Sequence, residues 1–337
     1  MIYENKILRA LGRALCMAVL LTVAACNSNK AASGSDGEVS APVGPAFSAD
    51  SAYEYCRAQC DFGPRAMNTA AHDRCGEWIA DKFRQYGCDV TLQRATLTGY
   101  DGTPLRAVNI IASHRPDMTE RIMICAHWDS RPWADNDPDE ANRHKAIDAA
   151  NDGASGVAVM IELARLIQHD TLSVGVDFIC FDAEDYGTPR WSDVTGDDEV
   201  WALGSLHWSA NPHVDGYTAR YGILLDMVGG NGARFYKEGF SVEYARQTVD
   251  RVWQAARTVG YGSYFPDRTG GMITDDHVPV NRDAGIPTID IIPYCPECEE
   301  STFGPTWHTM ADNMDNIDRY TLQAVGQTMV QVIYSEK

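Results

Sequence analysis

Carboxylates and histidines recur in this sequence beside short apolar segments. They occupy six places: His127-Trp-Asp129, Asn151-Asp152, Asp182-Ala-Glu184-Asp185, Asp226, Thr274-Asp275-Asp276-His277 and Trp307-His308. One aspartate after a strand is usually a helix cap, but caps do not explain so many. Acids gathered in one pocket would repel one another unless protons or a cation neutralised them. Asp, Glu and His together suit Zn²⁺ with an open coordination position, so the pattern predicts a metal-dependent hydrolase or transferase.

Short apolar strands alternate with amphipathic helices along the chain. Strands are predicted over 90–97, 107–113, 121–126, 174–181, 221–225 and 287–292, and helices over 48–60, 68–87, 153–167, 199–209, 240–259 and 320–334. This alternation is typical of a single α/β domain with a mixed, mostly parallel central sheet flanked by helices. In such sheets the site lies beyond the carboxyl ends of the strands, where most of the acids and histidines fall.

Composition excludes two classes of protein. The chain has 337 residues, 45% of them apolar, which is enough to bury a large core. Its formal net charge is −19 and no Lys/Arg-rich run occurs, so we expect no nucleic-acid partner. The only long apolar run in the sequence is at the N-terminus, which excludes a polytopic membrane protein. We expect a monomer.

The N-terminal segment is typical of an export signal. Lys6, Arg9 and Arg13 form a positively charged region that overlaps the start of a mostly apolar stretch over residues 11–25. This stretch ends in Val-Ala-Ala, followed by Cys26. This ending resembles a bacterial lipobox, although an ordinary signal peptide is the alternative. We expect a lipoprotein signal over 1–25, a flexible tether over 26–46 and a catalytic domain over 47–337. Lipidation of Cys26 would anchor the protein to the bacterial cell envelope, facing the periplasm, without spanning the membrane.

Export implies an oxidising compartment, in which cysteines can pair. Cys295-Pro-Glu-Cys298 favours a local disulfide over half a zinc knuckle or a redox pair, because the sequence contains no second CxxC. Cys125 and Cys180 stand inside apolar strand patterns and fit buried free thiols as well as a bond. The acidic run over residues 135–140 lacks the spacing of an EF-hand, and we interpret it as a solvated loop.

The order of these motifs resembles the zinc-dependent exopeptidase superfamily, whose shared pattern is HxD, a bridging Asp, an acidic pair, another Asp and a late His. Within it, Asp275-Asp276-His277-Val-Pro stands where aminopeptidases usually carry Ser-Asp-His. The run Trp307-His308-Thr-Met, followed by Asp-Asn, is similar to the same stretch of animal glutaminyl cyclases. The resemblance covers residues 56–337. Those enzymes are acyltransferases that convert an N-terminal glutamine of a peptide or protein to pyroglutamate and release ammonia.

The resemblance implies a role for each matching residue. It implies one Zn²⁺ bound by Asp152, Asp185 and His308. It implies proton transfer by Glu184, within an acid network completed by Asp226 and Asp275. It implies a substrate pocket lined by Trp307 and Trp191. Animal cyclases have Glu where Asp185 stands; because Asp is one methylene shorter, by about 1.5 Å, the loop must bring its backbone closer to the metal.

Two alternatives remain open at the level of sequence. A two-zinc aminopeptidase on the same fold would recruit His127 as a ligand together with Asp226, whereas His127 and Asp129 would be structural remnants in a cyclase. A catalytically inactive lipoprotein used for binding is the other alternative. Zinc stoichiometry separates the two enzymes, and activity on glutaminyl peptides separates the cyclase from the inactive protein.

Overall fold

A six-stranded mixed sheet occupies the centre of the protein. The computed structural model describes residues 41–194 and 200–337. Its strands are β1 (Asp89–Thr98), β2 (Pro104–His114), β3 (Arg121–His127), β4 (Gly175–Phe181), β5 (Gly222–Leu225) and β6 (Thr288–Ile291). They run in the order β1-β2-β4-β3-β5-β6. β2 pairs antiparallel with β1 and β4, and the remaining neighbours are parallel, so the predicted mixed α/β architecture is confirmed.

Seven α-helices are described. They are α1 (Ala49–Cys60), α2 (Ala70–Gln85), α3 (Ala154–Ile167), α4 (Leu203–Ala210), α5 (Gly239–Thr258), α6 (His277–Arg282) and α7 (Arg319–Tyr334). The side chains of Ser48, Thr69 and Asp318 accept backbone N–H groups at the starts of α1, α2 and α7, as expected of N-caps. The sequence patterns did not predict α6, and α4 begins at Leu203 rather than at residue 199.

Alternate residues of the central strands face two separate cores. Ile122 and Ile124 of β3 pack into the larger core, which includes residues of α1, α2, α3, α5 and α7. Met123 and Cys125 point to the opposite face, where Trp208 of α4 lies in the smaller core. Strands with helices on both faces are buried throughout, and every residue of β3 and β4 is buried.

Gly156 sets the position of α3 against the sheet. A Cβ atom at this residue would lie 2.1 Å from the carbonyl oxygen of Leu225, the last residue of β5. Only glycine permits so close an approach of helix and strand. The start of α3 therefore lies beside the carboxyl end of β5, which brings Asp152 close to Asp226.

Residues 41–46 of the expected tether contact the last helix. Val43 donates a backbone hydrogen bond to Oε1 of Gln331, and Gln327 donates to the carbonyl of Pro45, so residues 41–46 lie along α7. The predicted signal peptide and Cys26 lie outside the described residues. In the described ranges, no helix has both the length and the apolar character needed to cross a bilayer.

The structure settles the pairing of the described cysteines. Cys295 and Cys298 form the predicted local disulfide. Cys125 and Cys180 are buried free thiols rather than bonded partners.

Candidate metal-dependent active site

The predicted acids converge where the parallel strands end. β3 ends at His127, β4 is followed by Glu184 and Asp185, and β5 is followed by Asp226. A cavity of about 220 Å³ opens at this edge of the sheet. It is lined by seven of the predicted site residues: Asp152, Glu184, Asp185, Asp226, Asp275, Trp307 and His308. Motifs that are far apart in the sequence thus form one site.

Asp152, Asp185 and His308 form a group suited to one metal ion. Their potential ligand atoms lie within 4.8 Å of one another and all three residues are buried. Nε2 of His308 lies 3.2 Å from Oδ1 of Asp185 and 3.6 Å from Oδ2 of Asp152. Oδ2 of Asp185 is buried and has no hydrogen-bond partner among the described residues. Two carboxylates and one imidazole fit a catalytic zinc ion with an open coordination position.

A second group shares Asp152 with the first. Nε2 of His127 lies 3.0 Å from Oδ1 of Asp152 and 3.2 Å from Oδ1 of Asp226, and the three residues could hold an ion together. The two histidines thus approach different oxygens of one carboxylate. The geometry therefore retains both metal positions that the two-zinc alternative requires.

Asp152 does not cap the helix that follows it. The N-cap of α3 is Gly153, with φ +106°, and no side chain there accepts a helix N–H. The carboxylate of Asp152 is instead directed to His127 and His308. The common alternative for an aspartate before a helix is therefore wrong at this position.

The acids beside the metal group carry raised pKa values. Burial raises the pKa of Glu184 well above its usual range, and Asp185 and Asp275 add to this effect while His127 opposes it. Burial also raises the pKa of Asp275, and it raises the pKa of Asp226 to about 7, although the neighbouring His127 acts to lower it. Raised values in a buried acid cluster mean that protons or a cation must compensate the charge. A metal site with adjacent proton-carrying groups provides both.

Three residues other than glycine have a strained backbone at the same place. Ala183, Met227 and His308 have φ values of 55°, 50° and 54°, in the left-handed region that residues other than glycine rarely adopt. Ala183 precedes Glu184, and Met227 follows Asp226. Strained non-glycine residues persist where the surrounding structure enforces them, and they cluster at functional sites.

Asp129 has a definite structural task at the site. Its two carboxylate oxygens accept the backbone N–H groups of Glu184 and Asp185, each at 3.1 Å, and the side chain is fully buried. The second acid of the HxD motif therefore fixes the turn that presents the acidic pair. This is a structural role, which a cyclase would retain without using Asp129 as a metal ligand.

Aromatic rings form the walls of the cavity. Trp307 stacks on His308 with 3.7 Å between ring centroids, and Phe303 lies 5.0 Å from Trp307. Trp201, which none of the motifs includes, also lines the cavity and lies parallel to His308. The structure does not bring Trp191 into this cavity: it is 43% exposed and lines a neighbouring cleft of about 790 Å³.

The acidic run over residues 135–140 is not simply solvated. Asp135 and Asp137 are only 4% and 5% exposed, so the interpretation as a solvated loop is wrong for the first half of the run. Asp135 forms an ion pair with Arg131, which is 1% exposed and also reaches Asp185. The sequence analysis missed Arg131 and placed Asp135 only in the solvated loop.

Comparison with known proteins agrees with this geometry. Residues 109–333 match the model of peptidase family M28. The chain belongs to peptidase family M28. It is 55% identical to a glutaminyl cyclase of Bacteroides thetaiotaomicron whose structure was solved with N-acetylhistamine, over 88% of this chain and 100% of that one, with a TM-score of 0.86. The family and the donor set together support zinc as the metal of this M28 site.

Curated relatives of the M28 chain include both kinds of enzyme. It is 26% identical to a bovine glutaminyl-peptide cyclotransferase, over 66% of this chain and 64% of that protein. It is 27% identical to the aminopeptidase YwaD of Bacillus subtilis, over 72% of this chain and 47% of that protein. The alignments thus span about half to two thirds of the length of these relatives.

Proposed function

We propose that the protein converts the N-terminal glutamine of peptides and proteins to pyroglutamate and releases ammonia. The observation that carries this proposal is the position of Glu184 beside the Asp152–Asp185–His308 group in one small aromatic-walled cavity. The 55% identity to a solved glutaminyl cyclase supports the same activity. The complete set of acids in one cavity favours an enzyme over an inactive binding protein.

The proposed reaction needs two functions from the site, metal binding and proton transfer, and different residues supply them. Zinc bound by Asp152, Asp185 and His308 would polarise the γ-carbonyl of the substrate glutamine and stabilise the negative charge that develops on its oxygen. Glu184 accepts a proton from the α-amine and donates one to the departing ammonia. Its raised pKa suits a group that must both take and return a proton.

We propose one zinc ion as the resident metal. The nucleophile of the cyclisation is the substrate's own α-amine, and ring closure benefits from its proximity to the γ-carbonyl. No water molecule has to be activated, so a second ion has no task in the reaction. In a two-zinc aminopeptidase, by contrast, water must be activated to attack the peptide carbonyl.

The aminopeptidase remains the second candidate because His127, Asp152 and Asp226 retain its second metal position. The two activities differ in their products. Leu or Ala at the N-terminus gives the amine no carbonyl at the distance needed to close a five-membered ring. A peptidase attacks the backbone carbonyl and accepts any side chain that fits its pocket.

The test measures both products over one panel of dipeptides. Purified protein is incubated with Gln-, Leu-, Ala- and Met-peptides, with and without a zinc chelator. We expect chelator-sensitive ammonia release from Gln-peptides and no free amino acid from the others. Release of free leucine or alanine, with no ammonia from Gln-peptides, would contradict the cyclase and identify an aminopeptidase.

We also propose that the protein is a monomer anchored to the bacterial envelope through lipid on Cys26, with its domain facing the periplasm. The lipobox-like Val-Ala-Ala-Cys run supports this placement. Labelling of cells with a fatty-acid analogue should mark the parent and leave Cys26→Ser unlabelled. Light scattering on the soluble domain should give the mass of one chain.

A further inference from the structure

A buried ion pair lies directly behind the metal group. Nε and Nη2 of Arg131 donate to the two carboxylate oxygens of Asp135, each at 2.8 Å. The guanidinium lies 4.7 Å from the ring centre of Trp201 and 5.3 Å from that of Trp133. Such a two-pronged pair fixes orientation as well as charge.

Each member of the pair reaches a different predicted zinc ligand. Nη1 of Arg131 donates to Oδ1 of Asp185 at 3.2 Å and to its carbonyl oxygen at 3.1 Å. Oδ1 of Asp135 lies 3.4 Å from Nδ1 of His308. A carboxylate facing Nδ1 places the ring proton there, so Nε2 presents its lone pair towards Asp152 and Asp185.

Arg131 and Asp135 also form hydrogen bonds with the loop that follows β4. Arg131 also donates to the carbonyl oxygens of Gly187 and Thr188, both at 3.4 Å. Asp135 accepts the backbone N–H of Arg190 at 3.1 Å. Because an aspartate side chain is short, the position of its backbone decides whether its carboxylate reaches the metal. These bonds hold the backbone that carries Asp185 against the site.

We propose that Arg131 and Asp135 are positioning residues that set the orientation of Asp185 and His308 for zinc. Arg131 fixes the carboxylate and backbone of Asp185, and Asp135 fixes the tautomer and ring of His308. This inference rests on the proposed zinc site. Outer partners of this kind typically change metal affinity by about 10–100-fold when they are removed.

The chain supplies a matched control for a merely structural role. Arg121 and Asp177 form another buried two-pronged pair, with both N–O distances 2.6 Å. Arg121 is the first residue of β3, whereas His127 at the site is the last. Either Asp→Asn change removes the carboxylate that holds a buried guanidinium through two hydrogen bonds, and it should lower folding stability.

The experiment compares Asp135→Asn with Asp177→Asn. Zinc affinity is measured by competition with a chromophoric chelator, and metal geometry by the visible spectrum of the Co²⁺-loaded proteins. We expect Asp135→Asn to bind zinc about 10–100-fold more weakly and to change the cobalt spectrum at saturation. We expect Asp177→Asn to keep the parent values of both, although its thermal unfolding temperature falls.

The outcomes separate this inference from the zinc site itself. Parent zinc affinity and an unchanged cobalt spectrum in folded Asp135→Asn would overturn the positioning role. If that variant does not fold, Arg131→Lys decides by the same measurements, because one ammonium group cannot hold both Asp135 oxygens and Asp185 together. Retention of parent zinc affinity in His308→Ala would instead overturn the zinc site on which the inference rests.

Discussion

The proposed mechanism assigns proton transfer to Glu184 and metal binding to Asp185, its neighbour in the sequence. Replacing it by Gln keeps the shape of the side chain and removes its capacity to carry a proton. We expect Glu184→Gln to retain zinc and to lose turnover of Gln-peptides by at least the roughly 10²–10⁴-fold typical of a general acid–base residue. Steady-state kinetics and zinc content per chain measure the two effects, and near-normal turnover would remove the proposed mechanism.

His308 and His127 both approach Asp152, but the one-zinc hypothesis assigns only His308 to the metal. We expect His308→Ala to lose zinc and His127→Ala to keep it, as measured by metal analysis after dialysis. The two variants control for each other, because each removes one buried imidazole from the same carboxylate. Two zinc ions in the parent and equal losses in both variants would favour the aminopeptidase.

The residues of the candidate site were predictable where they follow a recognisable motif. Glu184 and Asp226 follow strand-like runs, and strand ends meet at one edge of a parallel sheet. Arg131, Asp135 and Trp201 were missed because their importance arises from burial and from partners distant in sequence. The sequence contained a weak indication of Arg131, since an arginine two residues after the HxD motif could neutralise a neighbouring acid.

At the scale of elements, periodicity predicted the strands well. Five of the six strands begin and end within one residue of the predicted bounds, and β2 begins three residues earlier. Apolar runs of this length are strong signals because both faces of the sheet are covered. α6 was missed because it has six residues, too few for a helical period, and contains Pro279.

Glu238 joins the start of α5 to the segment that carries Asp275. Its carboxylate accepts the backbone N–H groups of Phe240 and Ser241 and that of Ile273, and it contacts Nε2 of His277 at 3.1 Å. Burial acts to raise the pKa of Glu238, but the hydrogen bonds from His277 and Ser241 outweigh burial and lower it to about 2. The ionised form therefore stabilises the folded state.

This lowered pKa predicts how the contribution of Glu238 to folding stability changes with pH. Because the folded pKa lies below the ordinary value of 4.5, the contribution is complete above about pH 5 and is lost as the pH falls towards 2. We expect Glu238→Gln to lower the free energy of unfolding by about 1–3 kcal/mol at pH 7. Urea titrations at pH 7 and pH 3 should show a smaller difference from the parent at pH 3; a constant difference would contradict the assignment.

At the scale of the molecule, the fold concentrates negative charge at one edge of the sheet. The chain carries a formal net charge of −19. Asp152, Asp226 and Asp275 are buried around one cavity, and the buried Asp312 contacts the backbone just before α3. Asp312 accepts the backbone N–H groups of Asn151 and Asp152. Folding therefore brings together acids that repel unless protons or a cation accompany them.

The buried acids at this edge of the sheet predict how zinc and pH together affect folding stability. Burial raises the pKa of Asp226 and of Asp312 to about 7. In the unfolded chain the pKa of an aspartate is about 4. The folded state thus binds more protons than the unfolded state between these values, and its stability falls as the pH rises through them. A cation beside these acids favours their ionised forms and opposes that fall.

We therefore expect a chelator to lower the unfolding temperature more at pH 8 than at pH 6, because zinc competes with fewer protons at the higher pH. Thermal melts of the parent with and without chelator at the two pH values measure the effect. His308→Ala is the control, since a protein that has lost its zinc should melt at the same temperature with and without chelator. A chelator effect that is larger at pH 6 would show that zinc does not offset the charge of this acid cluster.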